Sequence, residues 1–215
     1  MRHRATALLA ALFLASPASA ASPDPSQGEA QARAVITRSK TTRTTYALYT
    51  WTTIRLKGAE PVEEWSAEFN SGPFHRVETP RDRVVADCAR KTAAHLSLAS
   101  GTVTADAATA NTACGIAYDE TVHRAAWLGK FASPWGEVDR VRLWGLGLVR
   151  TYDVTANGLI VACHFADSDK PDRALLELRT VAIERTLPKG KIFTRASLSR
   201  SVMPEKFTRP PAPSR

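Results

Sequence analysis

The chain has 215 residues, of which 44% are hydrophobic and 23% charged, and a formal net charge of +8. That length can bury the core of one sizeable domain. No Lys/Arg block is dense enough for nucleic-acid recognition, and no apolar run approaches the ~20 residues of a membrane-spanning helix.

The opening MRHRATALLAALFLASPASA reads as a secretory signal peptide. Arg2, His3 and Arg4 make a basic start, Ala7 to Ala15 is apolar, and Ala18-Ser19-Ala20 after Pro17 is a small-x-small cleavage site. Cleavage after Ala20 removes Arg2 and Arg4, leaving a mildly basic chain suited to solubility. The expected compartment is the periplasm. Residues 1–20 are thus the signal peptide, 21–30 (ASPDPSQGEA) a flexible lead-in, 31–207 a single domain, and 208–215 (TRPPAPSR) a disordered tail.

GEAQARAVITRSK (28–40) has helix-compatible spacing. A succession of strand-like runs follows: YALYTWTTIRL (46–56), EEWSAEFN (63–70), FHRVETP (74–80), RVVADC (83–88) and AAHLSLASG (93–101). Turn residues separate them at short intervals, as in an antiparallel meander. The Ala-rich stretch 103–131 reads as helical, with Asp119 or Thr121 capping a helix that runs to Leu128. EVDRVRLWGLG (137–147) alternates again. LVRTYDV and LIVACHFA flank Asn157-Gly158, a strong hairpin signal. In ALLELRTVAIERTL (174–187) the β-branched Val181 and Ile183 favour strand. RASLSRSVMP (195–204) reads as a short terminal helix. The expected fold class is α+β, a curved antiparallel sheet with a few helices against its concave face.

Three cysteines in an oxidising compartment allow one disulfide and one thiol, by three pairings. Cys88–Cys114 is favoured, as the ends of an excursion from one sheet. Cys163, inside GLIVACHFA, reads as a buried small hydrophobe.

Catalytic signals are weak. Cys163 and His164 are adjacent, so on a strand they point to opposite faces and make no dyad. His75, His95 and His123 have no sequence reason to meet a nucleophile. There is no Gly-x-Ser-x-Gly elbow and no phosphate loop. Asp167 and Asp169 fit a solvated loop, and no spacing matches a zinc site. The expectation is a protein that is not an enzyme and uses neither cofactor nor metal.

Binding signals are stronger. Strand alternation puts Phe74, Arg76 and Glu78 on one face and His75, Val77 and Thr79 on the other. If the first face lines the concave side, Arg76 is a cation in an apolar hollow, with Glu78 or Glu68 to pair with it. Trp51, Trp65 and Phe69 would floor the same hydrophobic site. Trp127, on the expected central helix, would sit over the sheet as a lid or as fixed core.

SGPFHRVETPRDRVVADC (71–88) resembles a strand pair of the periplasmic lipoprotein carriers of the LolA type. In that family a turn is followed by an aromatic, an Arg, a Trp-Glu pair, a Pro and an apolar strand ending in Asp-Gly. Pro73, Phe74, Arg76, Glu78 and Pro80 stand in matching order, and Val84-Val85-Ala86-Asp87 matches the apolar strand. Val77 replaces the Trp, and Cys88 the Gly. The resemblance implies a half-barrel fold, aligns Arg76 with the family's functional Arg, and implies a carrier of lipid or acylated protein, with an envelope protein as possible partner. The alternative is an envelope scaffold whose hollow is filled.

Overall fold

Eleven antiparallel strands form one unclosed, curved sheet in a computed structural model that describes residues 25–42 and 44–209. The stretch expected to be a signal peptide and the end of the expected tail lie outside the described residues. The strands are β1 (Tyr46–Ile54), β2 (Val62–Ser71), β3 (Phe74–Glu78), β4 (Asp82–Asp87), β5 (Thr92–Ser97), β6 (Val103–Thr104), β7 (Arg124–Ser133), β8 (Gly136–Gly145), β9 (Leu148–Thr155), β10 (Ile160–Asp167) and β11 (Ala174–Glu184). Their spatial order is β6-β5-β4-β3-β2-β1-β11-β10-β9-β8-β7. Two meanders therefore meet where β1 pairs with β11. This is the α+β curved antiparallel sheet that the alternating runs predict, in the unclosed half-barrel form that the resemblance implies.

Helix α1 (Pro25–Lys40) begins inside the stretch expected to be a lead-in. Proline is tolerated at a helix start because its missing N–H has no intrahelical acceptor there. Ala32, Val35 and Ile36 recur at helical spacing and pack with Ala125, Val141 and Leu143 of β7 and β8. Helix α2 (Ala107–Ala113) is short, capped by Asp106, whose side chain accepts from the Thr109 amide. It packs on Ala86 and Ala93 through Ala110.

The expected helix running to Leu128 is not there. The chain turns at Asp119–Thr121 and enters strand β7, so Trp127 lies on a strand, its indole N–H donating to Asp139 at 3.0 Å. Alanine's helix propensity yields here to cross-strand pairing along the whole of β8. The terminal helix is likewise reduced to a 3-10 turn, Arg195–Ser199.

Both helices cover one side of the sheet, here termed the helix face. The other, the tail face, is covered along β1–β5 by residues after β11. Leu187, Ile192, Phe193, Val202, Met203 and Phe207 gather there against Ala47, Tyr49, Ala67 and Phe69. Phe207 stacks on Tyr49 with ring centroids 4.0 Å apart.

A hollow on the helix face

The disulfide joins Cys88, just after β4, to Cys114, just after α2. It anchors the segment Thr112–Ala117 over the helix face. Gly115 in that segment has φ +90, and a Cβ there would stand 2.7 Å from the Ser39 carbonyl oxygen. Only glycine permits this backbone and this approach to the end of α1. The Ser39 hydroxyl completes the junction by accepting from the Ile116 amide at 3.1 Å.

Beneath this segment lies a hollow of about 400 Å³. Leu48, Val77, Ile116, Phe165 and Leu178 supply much of its wall. Thr50 and Ser66 also line it, but their hydroxyls bond to one another, which removes them as polar demands on a ligand. Cys163 faces the hollow as a free thiol, and burial pushes its pKa up to about 12. It is a small hydrophobe in this setting, as its sequence context predicts.

Glu68, Tyr46 and His75 form a polar cluster at one wall. Glu68 Oε1 accepts from the Tyr46 hydroxyl at 2.6 Å and lies 2.6 Å from His75 Nε2. His75 Nδ1 meets the carbonyl oxygen of Ala113, at the end of α2. Both partners of the ring can accept, which favours a proton on each ring nitrogen and a carboxylate on Glu68. Burial opposes charge on His75, yet Glu68 and the Ala113 carbonyl outweigh it and raise its pKa above the ordinary 6.5. Burial alone would raise the Glu68 pKa, but His75 and Tyr46 hold it below the ordinary 4.5. The cluster thus ties the roof segment to the sheet by charge.

The six residues expected to line a hollow share one face, but it is the tail face. Trp51 pairs with Trp65 across β1 and β2, and Phe69 pairs with Arg76 across β2 and β3. Arg76 and Glu78 are fully buried beneath the terminal segment, with the carboxylate 2.6 Å from the guanidinium. Arg76 also donates to the carbonyl oxygens of Ile192 and Arg200, each at 2.7 Å, and to Ser197 Oγ at 2.8 Å. Glu78 accepts from the Ser201 hydroxyl at 2.6 Å and the Val202 amide at 3.0 Å. All guanidinium nitrogens are engaged. Phe74 is half exposed, 6.1 Å from Phe193. The expectation that this face fronts the helices is corrected: alternation groups these residues, but the terminal segment packs on their side.

A different arginine lies in the hollow. Arg150 of β9 lines it together with Tyr152, and its Nε is buried without a hydrogen-bond partner. Alternation in LVRTYDV puts Arg150 on the side of Tyr152 and Val154, two members of the cluster packed on α1. That signal was present in the sequence, but only the placement of α1 gives it meaning. Glu68 was read only as a partner for Arg76, and the role of His75 depends on the position of α2.

Among the described residues no helix is long and apolar enough to cross a membrane. No protein-family model matches the chain, and no curated protein matches it. Several solved structures are similar in fold. A conserved protein of Thermus thermophilus is 15% identical, with a TM-score of 0.49, covering 83% of this chain and 97% of its own. A LolA superfamily protein from Nitrosomonas europaea is 8% identical, with a TM-score of 0.43, covering 78% and 99%. A DUF1329 family protein from Desulfovibrio piger is 9% identical, with a TM-score of 0.41, covering 81% and 99%. Each likeness is one of shape, and nothing about this chain's ligand follows from it.

Proposed function

We propose that this protein binds a hydrophobic ligand, the acyl chain of a lipid or of an acylated protein, non-covalently in the hollow on its helix face, and does so in an exported compartment. The hollow itself carries the reading. Protein interiors are close-packed and rarely leave space of this size between apolar side chains. At about 400 Å³ it falls within the ~300–1,000 Å³ of ligand sites.

A chain entering it gains ~0.8 kcal/mol for each CH₂ taken from water. No bond need be made or broken, so the same contacts allow uptake and release. The Cys88–Cys114 disulfide supports an oxidising location. A carrier role would add a donor and an acceptor in the envelope, which this reading leaves as further partners.

The test is native mass spectrometry of the protein purified from its own host, followed by solvent extraction. Cys163→Trp fills the hollow. A co-purifying amphiphile in the wild type, absent from the Trp variant, is expected. An unliganded mass in both, with no uptake of added fatty acid or phospholipid, would overturn the reading.

A further inference from the structure

Two cationic side chains line the hollow. His75 is committed to Glu68 and Ala113, whereas Arg150 has only the neutral Tyr152 hydroxyl and no acid paired with it. Its guanidinium forms no ion pair among the described residues, and its Nε is enclosed without a partner. An unpaired guanidinium against apolar walls is costly unless something anionic meets it. Arg76, the arginine singled out from the sequence, is saturated by contrast.

A second, more polar pocket of about 240 Å³ adjoins the hollow, and the two share Glu68, His75, Gly115 and Ile160. Lys40, at the end of α1, lines it and has no ion pair among the described residues. Asn70 lines it too, at 5% exposure, and its carboxamide oxygen, an acceptor, is buried without a donor. Asp119 is the acid that senses both cations. Hydrogen bonds from Thr121 chiefly lower its pKa, and Arg150 and Lys40 add to that effect. It pairs with neither. The apolar hollow therefore holds one arginine without an ion pair and adjoins a pocket lined by Lys40, likewise without one among the described residues.

From this we infer that the ligand is a single-chain amphiphile with an anionic head, a carboxylate or a phosphate monoester, whose charge is received by Arg150, with Lys40 in the adjoining pocket adding to the positive field. This rests on the reading of the hollow as an acyl-chain site and names the head group. A guanidinium suits both anions, since its N–H groups match their paired oxygens. The modest volume selects one chain over several.

The test is fluorescence titration of the purified full chain with cis-parinaric acid and, separately, with its methyl ester. The acid should bind about tenfold more tightly, a difference typical of one charge-assisted contact. Arg150→Met should bring the acid down to the ester's affinity and leave the ester unchanged, with Arg150→Lys retaining part of the preference. Lys40→Met should have a smaller effect in the same direction. Equal binding of acid and ester by the wild type, or equal weakening of both by Arg150→Met, would overturn the inference while leaving the acyl site standing. Failure of both probes to bind would overturn the acyl site as well. Lysophosphatidate should displace the acid and inorganic phosphate should not. Displacement by inorganic phosphate alone would mean a free-anion site and would also refute the proposal.

Discussion

The two faces of the sheet each hold an acid next to a buried base, and they use them differently. On the tail face Arg76 and Glu78 are wholly enclosed, and their spare hydrogen-bonding groups meet the backbone of the terminal segment. On the helix face Glu68 and His75 pair at a cavity wall, and Arg150 and Lys40 line adjoining cavities without an ion pair among the described residues. A saturated pair is a fastening, because it has nothing left to offer a ligand. A cation without a paired acid leaves interaction energy available. Saturation, more than residue type, separates the structural arginine from the one with capacity to bind.

The largest expected effect tests the fastening. Arg76→Ala should lower stability by ~3–5 kcal/mol in urea denaturation, since it strands Glu78 as a buried charge. Arg76→Met with Glu78→Leu should recover much of that loss, because no charge is then stranded. If Arg76→Ala proves mild, the tail segment is not held by this pair.

Next comes the covalent anchor of the helix face. Cys88→Ser with Cys114→Ser opens a loop with a sequence separation of 26 and should cost ~3 kcal/mol. It should also weaken retention of the ligand, because the roof segment loses its tie. Reduction of the wild type should reproduce the loss, and thiol titration of the unfolded, unreduced protein should find one free thiol.

The ionic anchor is smaller and depends on pH. His75 has a raised pKa when folded, so its contribution is full below 6.5 and is lost as pH rises through the folded value. Glu68 has a lowered one, so its contribution is full above 4.5 and is lost as pH falls through the folded value. The pair therefore stabilises most between those limits. His75→Gln should cost ~2 kcal/mol near pH ~5.5 and distinctly less near pH ~9. A cost independent of pH would mean that His75 serves only to pack.

The smallest effect concerns Cys163. With its thiol pKa pushed up to about 12, alkylation of the folded protein should be slow, and a bound amphiphile should slow it further. Labelling as fast as in the unfolded chain would show the hollow to be open to water.

Much of this molecule was legible in its sequence. Strand-like patterning identified nine of the strands' neighbourhoods in outline, and Asn157-Gly158 marked the β9–β10 turn, with Gly158 at φ +88. The favoured cysteine pair is the bonded one. These are local properties: a strand's alternation, a turn's φ and the ends of an excursion depend on neighbours along the chain. Alternation even grouped Phe74, Arg76 and Glu78 correctly on one face. What it left open was what covers that face. Helices could pack on either side of the same sheet, and the choice was decided by where residues 185–209 return and by where Gly115 lets the disulfide-anchored segment meet α1. The same long-range packing turned Ala-rich 124–133 into a strand, since pairing with β8 outweighs a small propensity. Parity along a strand is written residue by residue, whereas the identity of the inside is a property of the assembled chain, and so only the tertiary structure could exchange Arg76 for Arg150.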